Sequence, residues 1–228
     1  MDDTDVRKQP IAADGSFHRQ TSKFRDIIEK GGKYEPERAV TTASPRMTTA
    51  GWPFAVVDKF PGSEVDPLYN SETVTDLYRR ADPTYPGKFT VPVLWDKKTQ
   101  TIVNNESSEI IRIFNSAFNE LLPPEYAKID LYPEELRKEV DKVNEWVYSD
   151  INNGVYRVGF ATTQRAYEDA VYPLFAALDR AEEKLRGKEF LVGNRLTEAD
   201  VRLWVTIIRF DAAYHTQFKC NIKDTVAF

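Results

Sequence analysis

The 228-residue sequence predicts an α/β domain followed by an all-α domain, on the basis of three observations. Residues 88–115 combine two runs of β-type residues, a polar turn and a helix start. The dipeptide Pro123-Pro124 then marks a linker. After residue 132, apolar residues recur at the spacing expected of helices.

The first β-type run, residues 89–95, alternates apolar residues around a Val91-Pro92 bond, and residues 96–100 are polar turn formers. Because residues 101–103 resume the β-type pattern, we expect a hairpin. A proline in a strand belongs at an edge or a bend, and X-Pro bonds are the peptide bonds that are cis at appreciable frequency. We therefore expect Val91 to offer its backbone N–H and C=O to a ligand.

Asn105, Glu106 and Ser107 precede residues spaced to bury one face of a helix. The start of such a helix presents N–H groups and positive dipole charge, which suit a carboxylate at Ser107, while Glu106 suits an ammonium group. Together with the backbone of Val91, these groups suit a small, extended, zwitterionic peptide such as glutathione. The alternative is an ordinary edge strand followed by a helix cap.

The run TVPVLWDKKTQTIVNNESSEIIRIFN, residues 90–115, resembles the glutathione-site signature of the xi-class glutathione transferases, the glutathionyl-hydroquinone reductases. Other stretches share the resemblance: KFRDIIEKGGKYEPE, GWPF, DPLYNS, NNGVYRVGFATTQRAYE and LVGNRLTEADVRLW. The resemblance implies an extension at 1–37, an incomplete thioredoxin-like glutathione-binding domain at 38–120, and a truncated glutathione-transferase-type helical domain at 125–228.

The resembled family uses a cysteine in a CPWA-type motif at a helix start. Its thiolate attacks the sulfur of a glutathionylated hydroquinone, the hydroquinone leaves, and a second glutathione resolves the mixed disulfide. This chain instead continues from Glu37 directly into RAVTTASPRMTTAGWPF, without the family's first strand, first helix and cysteine. We assign no catalytic residue, and we expect Cys220, the single cysteine, to be a buried or idle thiol.

The missing first strand has a structural consequence, because in the resembled fold it lies between the second and third strands. Residues 40–43 therefore lose their usual partner, and unpaired strand edges are unfavourable. We expect either that residues 40–43 shift to pair with residues 89–95 or that this part of the domain remains irregular.

The resemblance also implies the residues that bind each ligand. The glutathione contacts expected from it are Trp52, Val91, Pro92, Glu106 and Ser107. Tyr156 and Tyr214 match positions that face the hydroquinone, where a phenol could donate to its oxygen. The alternatives are a core tryptophan and packing tyrosines.

The second half of the chain predicts packed helices over residues 132–152 and 163–186. In LTEADV, Thr197 and Asp200 match a capping box, which opens a further helix over residues 201–210. We interpret this motif as structural.

Composition excludes several classes of protein. The net charge of −5 does not favour binding to nucleic acid or to an anionic membrane. No apolar run reaches the roughly 20 residues that a membrane helix needs. The acidic start is unlike a secretory signal, so a cytoplasmic location is expected. A single cysteine excludes an internal disulfide framework, and His18 and His215 give no metal-ligand spacing.

Two functions follow from the resemblance. The first is the glutathione-dependent reduction of glutathionyl-hydroquinones, impaired in this chain because the family cysteine is missing. The second is a non-catalytic variant that binds glutathione or another ligand. Quinol conjugates are the expected small-molecule partners, and a homodimer is left open.

Overall fold

The computed structural model describes residues 11–19, 22–25 and 40–223. The described residues belong to two units. The N-terminal unit contains residues 22–25 and 40–128, and the C-terminal unit contains residues 11–19 and 129–223. The predicted fold class, α/β followed by all-α, is confirmed by the elements of these two units.

An antiparallel hairpin forms the sheet of the N-terminal unit, as predicted. Strand β1 (Leu94–Asp96) pairs with strand β2 (Thr101–Asn104), with Trp95 opposite Ile102. In the turn, the Asp96 carboxylate accepts the N–H groups of Lys98 and Thr99. The first strand is shorter than predicted and begins only at Leu94, because Pro92 has no N–H to give to a ladder.

In the described part of this unit, α-helices accompany the hairpin. They are α1 (Val74–Ala81), α2 (Ser107–Ser116) and α3 (Pro124–Ala127), with a short 3₁₀ turn at Asn119–Leu121. Helix α1 is opened by a capping box between Thr73 and Asp76, whose carboxylate accepts the Thr73 N–H at 2.8 Å. Helix α2 begins where the cap-forming residues predicted it, with Glu106 as its N-cap.

Residues 40–43, all of them described, are irregular, which is the second of the two expected outcomes. This segment is held by loop contacts, since Ser44 donates its N–H to Pro53 and Glu64 donates to Thr42. Strand β2 is bordered instead by residues near the start of the unit. Arg25 forms a bridge with Asn104, and the Asn105 N–H donates to the Phe24 carbonyl at 3.0 Å.

The described residues of the N-terminal unit form two apolar clusters. The larger contains Phe54, Val74, Tyr78 and Ile102, and the smaller contains Val103, Ile113 and Phe118. Because Ile102 and Val103 are adjacent in β2 and face opposite sides, the short sheet separates the two clusters.

The C-terminal unit is helical, and the helices predicted over residues 132–152 and 163–186 are confirmed. Its helices are α4 (Arg137–Trp146), α5 (Gly154–Phe160), α6 (Gln164–Leu185) and α7 (Glu198–Ile207), with a 3₁₀ turn at Glu134–Leu136 and π-type turns at Val147–Asn152 and Phe210–His215. No helix in the described ranges is both long and apolar enough to span a bilayer.

The capping box at the start of α7 is confirmed. Asp200 accepts the N–H of Thr197 at 2.9 Å, and it also accepts the N–H of Leu191 at 2.7 Å. The helix therefore begins at Glu198, three residues earlier than the pattern predicted. Glu198 is buried, where it accepts a hydrogen bond from Asn144 at 2.7 Å and faces Arg202 at 3.4 Å. These contacts fix α7 in the core, so the motif has a structural role.

Candidate functional site

The first half of the predicted glutathione site lies at the start of α2. Ser107 is exposed at the first helical position, where N–H groups lack partners within the helix. The Glu106 carboxylate accepts the Ser22 hydroxyl at 3.0 Å and the N–H and hydroxyl of Ser108 at 3.4 and 3.2 Å. A carboxylate can accept about four hydrogen bonds, so Glu106 retains capacity for a ligand ammonium.

The second half lies just before β1. The Val91–Pro92 peptide bond is cis, and both residues are exposed, Val91 by 44%. An exposed residue that precedes a strand, such as Val91, can pair its backbone N–H and C=O with an extended peptide, as in strand addition.

A hydrogen-bond network joins the two halves. Asn105 donates from Nδ2 to the Tyr78 hydroxyl at 2.8 Å, and the Tyr78 hydroxyl donates to the Thr90 carbonyl at 2.9 Å. Asn105 Nδ2 also lies 3.4 Å from the Thr90 hydroxyl. Because Thr90 precedes Val91 and Asn105 precedes Glu106, the structure brings the two predicted peptide-binding dipeptides together on one unit.

Asn104, at the end of β2, holds the start of α2 through its side chain. Its Oδ1 accepts the Glu106 N–H at 2.7 Å, and its Nδ2 donates to Glu109 at 2.8 Å. Burial opposes ionisation of Glu109, but hydrogen bonds from Arg25 and Asn104 outweigh that effect and lower the pKa of this carboxyl. Sequence reasoning missed Tyr78, Thr90 and Asn104. The only local signal was the Asn-Asn pair before Glu106.

Trp52 is partly buried and packs against the larger apolar cluster of the N-terminal unit. Its carbonyl accepts the N–H of Val74 at 2.9 Å, which ties it to the start of α1. Packing therefore accounts for part of the Trp52 surface, and the residue remains partly exposed.

The two predicted quinol-binding tyrosines meet in the C-terminal unit. The Tyr156 and Tyr214 rings are T-shaped with centroids 5.9 Å apart, and each also packs edge to face with Phe218. Tyr214 is buried, and its burial, followed by the effect of the neighbouring Tyr156 phenol, raises the pKa of the Tyr214 phenol. The phenol therefore stays protonated and can act as a donor at neutral pH.

Cys220 is fully buried in the C-terminal unit. Burial raises the pKa of its thiol to about 12, and the sulfur lies 3.7 Å from the Phe218 carbonyl and 3.9 Å from the Val155 carbonyl. Among the described residues, the sulfur thus meets apolar side chains and carbonyl oxygens, which do not stabilise a thiolate.

Comparison with known proteins places this geometry in a family. Residues 164–224 match the model of the glutathione S-transferase C-terminal domain. The chain is 44% identical to the glutathionyl-hydroquinone reductase PcpF of Sphingobium chlorophenolicum, over 92% of this chain and 74% of that protein. That alignment runs over 241 residues, more than the 228 present here, so the relative has residues without a counterpart in this chain.

Comparison with solved structures points to the same family. The xi glutathione transferase of Phanerochaete chrysosporium has a TM-score of 0.93 and 51% identity, over 97% of this chain and 80% of that one. The xi transferase ECM4 of Saccharomyces cerevisiae, solved in complex with glutathione, has a TM-score of 0.85 and 35% identity, over 91% and 83% of the two chains. The chain thus belongs to the xi class of glutathione transferases, the family of the glutathionyl-hydroquinone reductases.

Proposed function

We propose that this chain binds glutathione on its N-terminal unit, within the domain at residues 38–120. The observation that carries the proposal is the Asn105–Tyr78–Thr90 network, because it holds an exposed cis-proline segment beside an exposed helix start. The backbone of Val91, before Pro92, would pair with the peptide, and the α2 start at Ser107 would receive a carboxylate. Glu106 would hold the ammonium group, and Trp52 would pack against the ligand.

We propose quinol conjugates of glutathione as the substrate class, with Tyr156 and Tyr214 donating to the hydroquinone oxygen. The contact between the two rings and the raised pKa of Tyr214 support this role, since a phenol that keeps its proton can donate to a quinol oxygen. The family relationship to PcpF, which is named a glutathionyl-hydroquinone reductase, points to the same substrate class.

We propose further that this chain binds these ligands without carrying out the thiol-dependent reduction. The reduction needs a thiolate to attack the sulfur of the conjugate, and the only cysteine is Cys220, which is buried and has a raised pKa. The competing proposal is an active reductase, and the high identity to the family favours it.

One assay separates the two proposals. Purified chain is mixed with glutathionyl-menadiol and glutathione, and the release of menadiol and oxidised glutathione is followed. We expect no release above the uncatalysed rate. Turnover by the wild type that disappears in Cys220→Ala would establish the reductase activity and would identify Cys220 as its nucleophile.

Isothermal titration with glutathione tests the peptide site itself. We expect binding by the wild type and its loss in Glu106→Ala and Ser107→Ala, while Ser116→Ala, an exposed serine at the far end of α2, binds normally. Equal binding by all four proteins would place the ligand elsewhere.

We also propose a cytoplasmic location, with a homodimer as the assembly to test. Exposed apolar side chains at the end of α7, Trp204 and Val205, and on the residue that follows the helix, Ile208, support self-association. Light scattering coupled to size-exclusion chromatography would give the mass, and a monomer at micromolar concentration would exclude the dimer.

A further inference from the structure

Tyr78 occupies a central place in the N-terminal unit. It is the fifth residue of α1 and its side chain is fully buried. The ring packs against Phe24, Tyr85 and Phe89, with centroid distances of 6.1, 4.8 and 5.6 Å. This packing fixes the direction of the hydroxyl, which is the polar tip of an otherwise apolar side chain.

The hydroxyl uses both of its hydrogen-bonding functions. It accepts from Asn105 Nδ2 at 2.8 Å and donates to the Thr90 carbonyl at 2.9 Å. Burial raises the pKa of Tyr78 to about 12, so its proton is retained and it can donate throughout the neutral range. A phenylalanine could fill the same space but could make neither bond.

The two partners belong to different segments of the chain. Thr90 lies directly before Val91-Pro92, and Asn105 lies directly before Glu106-Ser107. Thr90 and Asn105 are 15 residues apart in the chain, and a direct contact of 3.4 Å between Asn105 Nδ2 and the Thr90 hydroxyl accompanies the two bonds of Tyr78. The shared Tyr78 hydroxyl therefore helps to set the separation between a backbone segment and a helix start.

We propose that Tyr78 is a positioning residue for glutathione, whose hydroxyl holds the Val91-Pro92 backbone and the Glu106-Ser107 helix start at the spacing one tripeptide requires. The inference rests on the proposed glutathione site. Tyr78 does not touch the ligand, and it acts only through Thr90 and Asn105.

Tyr78→Phe tests this role, with Tyr69→Phe as the matched control. Tyr69 is another tyrosine of the same unit, and its ring packs on Trp95, at 5.7 Å between centroids. We expect glutathione affinity, measured by titration calorimetry, to fall about tenfold in Tyr78→Phe, because the two halves of the site are no longer held at one spacing. Affinity should be unchanged in Tyr69→Phe.

Amide hydrogen exchange without glutathione gives a second readout that a role in general stability would not produce. We expect faster exchange in Tyr78→Phe confined to residues 89–94 and 105–109. Exchange that is unchanged there, or raised evenly through the unit, would overturn the inference. So would full affinity in Tyr78→Phe or an equal loss in Tyr69→Phe.

A substitute variant and a separate reading of the exchange experiment keep the test decisive. If Tyr78→Phe does not fold, Asn105→Asp replaces it, because the carboxylate keeps the side chain's size and removes the donor to Tyr78; retained affinity in that variant would overturn the inference. If the wild type binds no glutathione, the proposed function fails, and the exchange measurement alone decides whether Tyr78 couples the two segments.

Discussion

Asn104 accepts the backbone N–H of Glu106 through its side-chain oxygen, at 2.7 Å. Asn104 is fully buried at the end of β2, so this bond ties the last residue of the hairpin to the residue that caps α2. The orientation of the helix start, and of the ligand groups it would receive, depends on this contact.

Asn104→Ala should therefore destabilise the N-terminal unit. The substitution removes the acceptor for Glu106 and the donor to Glu109, and an unmade buried hydrogen bond costs about 1–3 kcal/mol. Urea denaturation measures the loss of unfolding free energy. Asn194→Ala, at an exposed turn, should change it little, and equal effects of the two substitutions would contradict this role for Asn104.

Thr197→Ala should destabilise the C-terminal unit by about 1 kcal/mol or more, the usual value of an N-cap. The Thr197 hydroxyl and N–H both bond to Asp200, which also holds the Leu191 N–H, and all three contacts lie at the start of a helix whose first two residues, Glu198 and Ala199, are buried. Chemical denaturation monitored by far-ultraviolet circular dichroism provides the measurement. Gln217→Ala, at an exposed position, is the control, and an unaffected midpoint for Thr197→Ala would show that the box is dispensable.

Cys220 should resist thiol reagents in the folded protein. Since burial raises its pKa to about 12, the neutral thiol predominates until the pH approaches that value, and the side chain is closed to solvent. Reaction with iodoacetamide at pH 8, followed by mass spectrometry, should be slow in buffer and complete in denaturant. Rapid stoichiometric labelling of the native protein would show an accessible thiolate and would reopen the reductase proposal.

The ion pair between Glu109 and Arg25 predicts how the free energy of unfolding depends on pH. The folded-state pKa of Glu109 is lowered from its ordinary value of 4.5, so the folded state favours the ionised form. Its contribution is fully present above pH 4.5 and is lost as the pH falls through the lower folded-state pKa.

Glu109→Gln should accordingly lose stability relative to the wild type at pH 7, and the difference should shrink near pH 3. The measurement is the free energy of unfolding in urea at the two pH values. Glu125→Gln, an exposed carboxylate, serves as the control. A difference between Glu109→Gln and the wild type that is the same at both pH values would refute the linkage.

Much of the fold could be predicted because its elements carry local signals. The hairpin follows from alternation and turn residues, and the start of α2 follows from its cap. The capping box also predicted α7, although that helix begins three residues before the predicted start. The extent of β1 was overestimated because apolar alternation continued through Pro92, which cannot join a ladder. The irregular path of residues 40–43 was one of two alternatives, and only tertiary contacts with Pro53 and Glu64 decide between them.

The candidate site was predictable only in part. The sequence motifs could be recognised at Val91, Pro92, Glu106 and Ser107. Tyr78 lies on another element, and its role depends on the contact that its hydroxyl makes with Thr90 in the folded chain. No pattern in α1 distinguishes Tyr78 from an ordinary core aromatic residue. The pairing of Tyr156 with Tyr214 likewise came from the family resemblance and not from spacing.

The most direct test of the account is a glutathione titration of the ¹⁵N-labelled chain, followed by the amide resonances of Val91 and Ser107. We predict saturable shifts at both amides with the same dissociation constant, since one ligand contacts both segments. Shifts confined to one of the two, or separate affinities for each, would contradict a single binding site built from them.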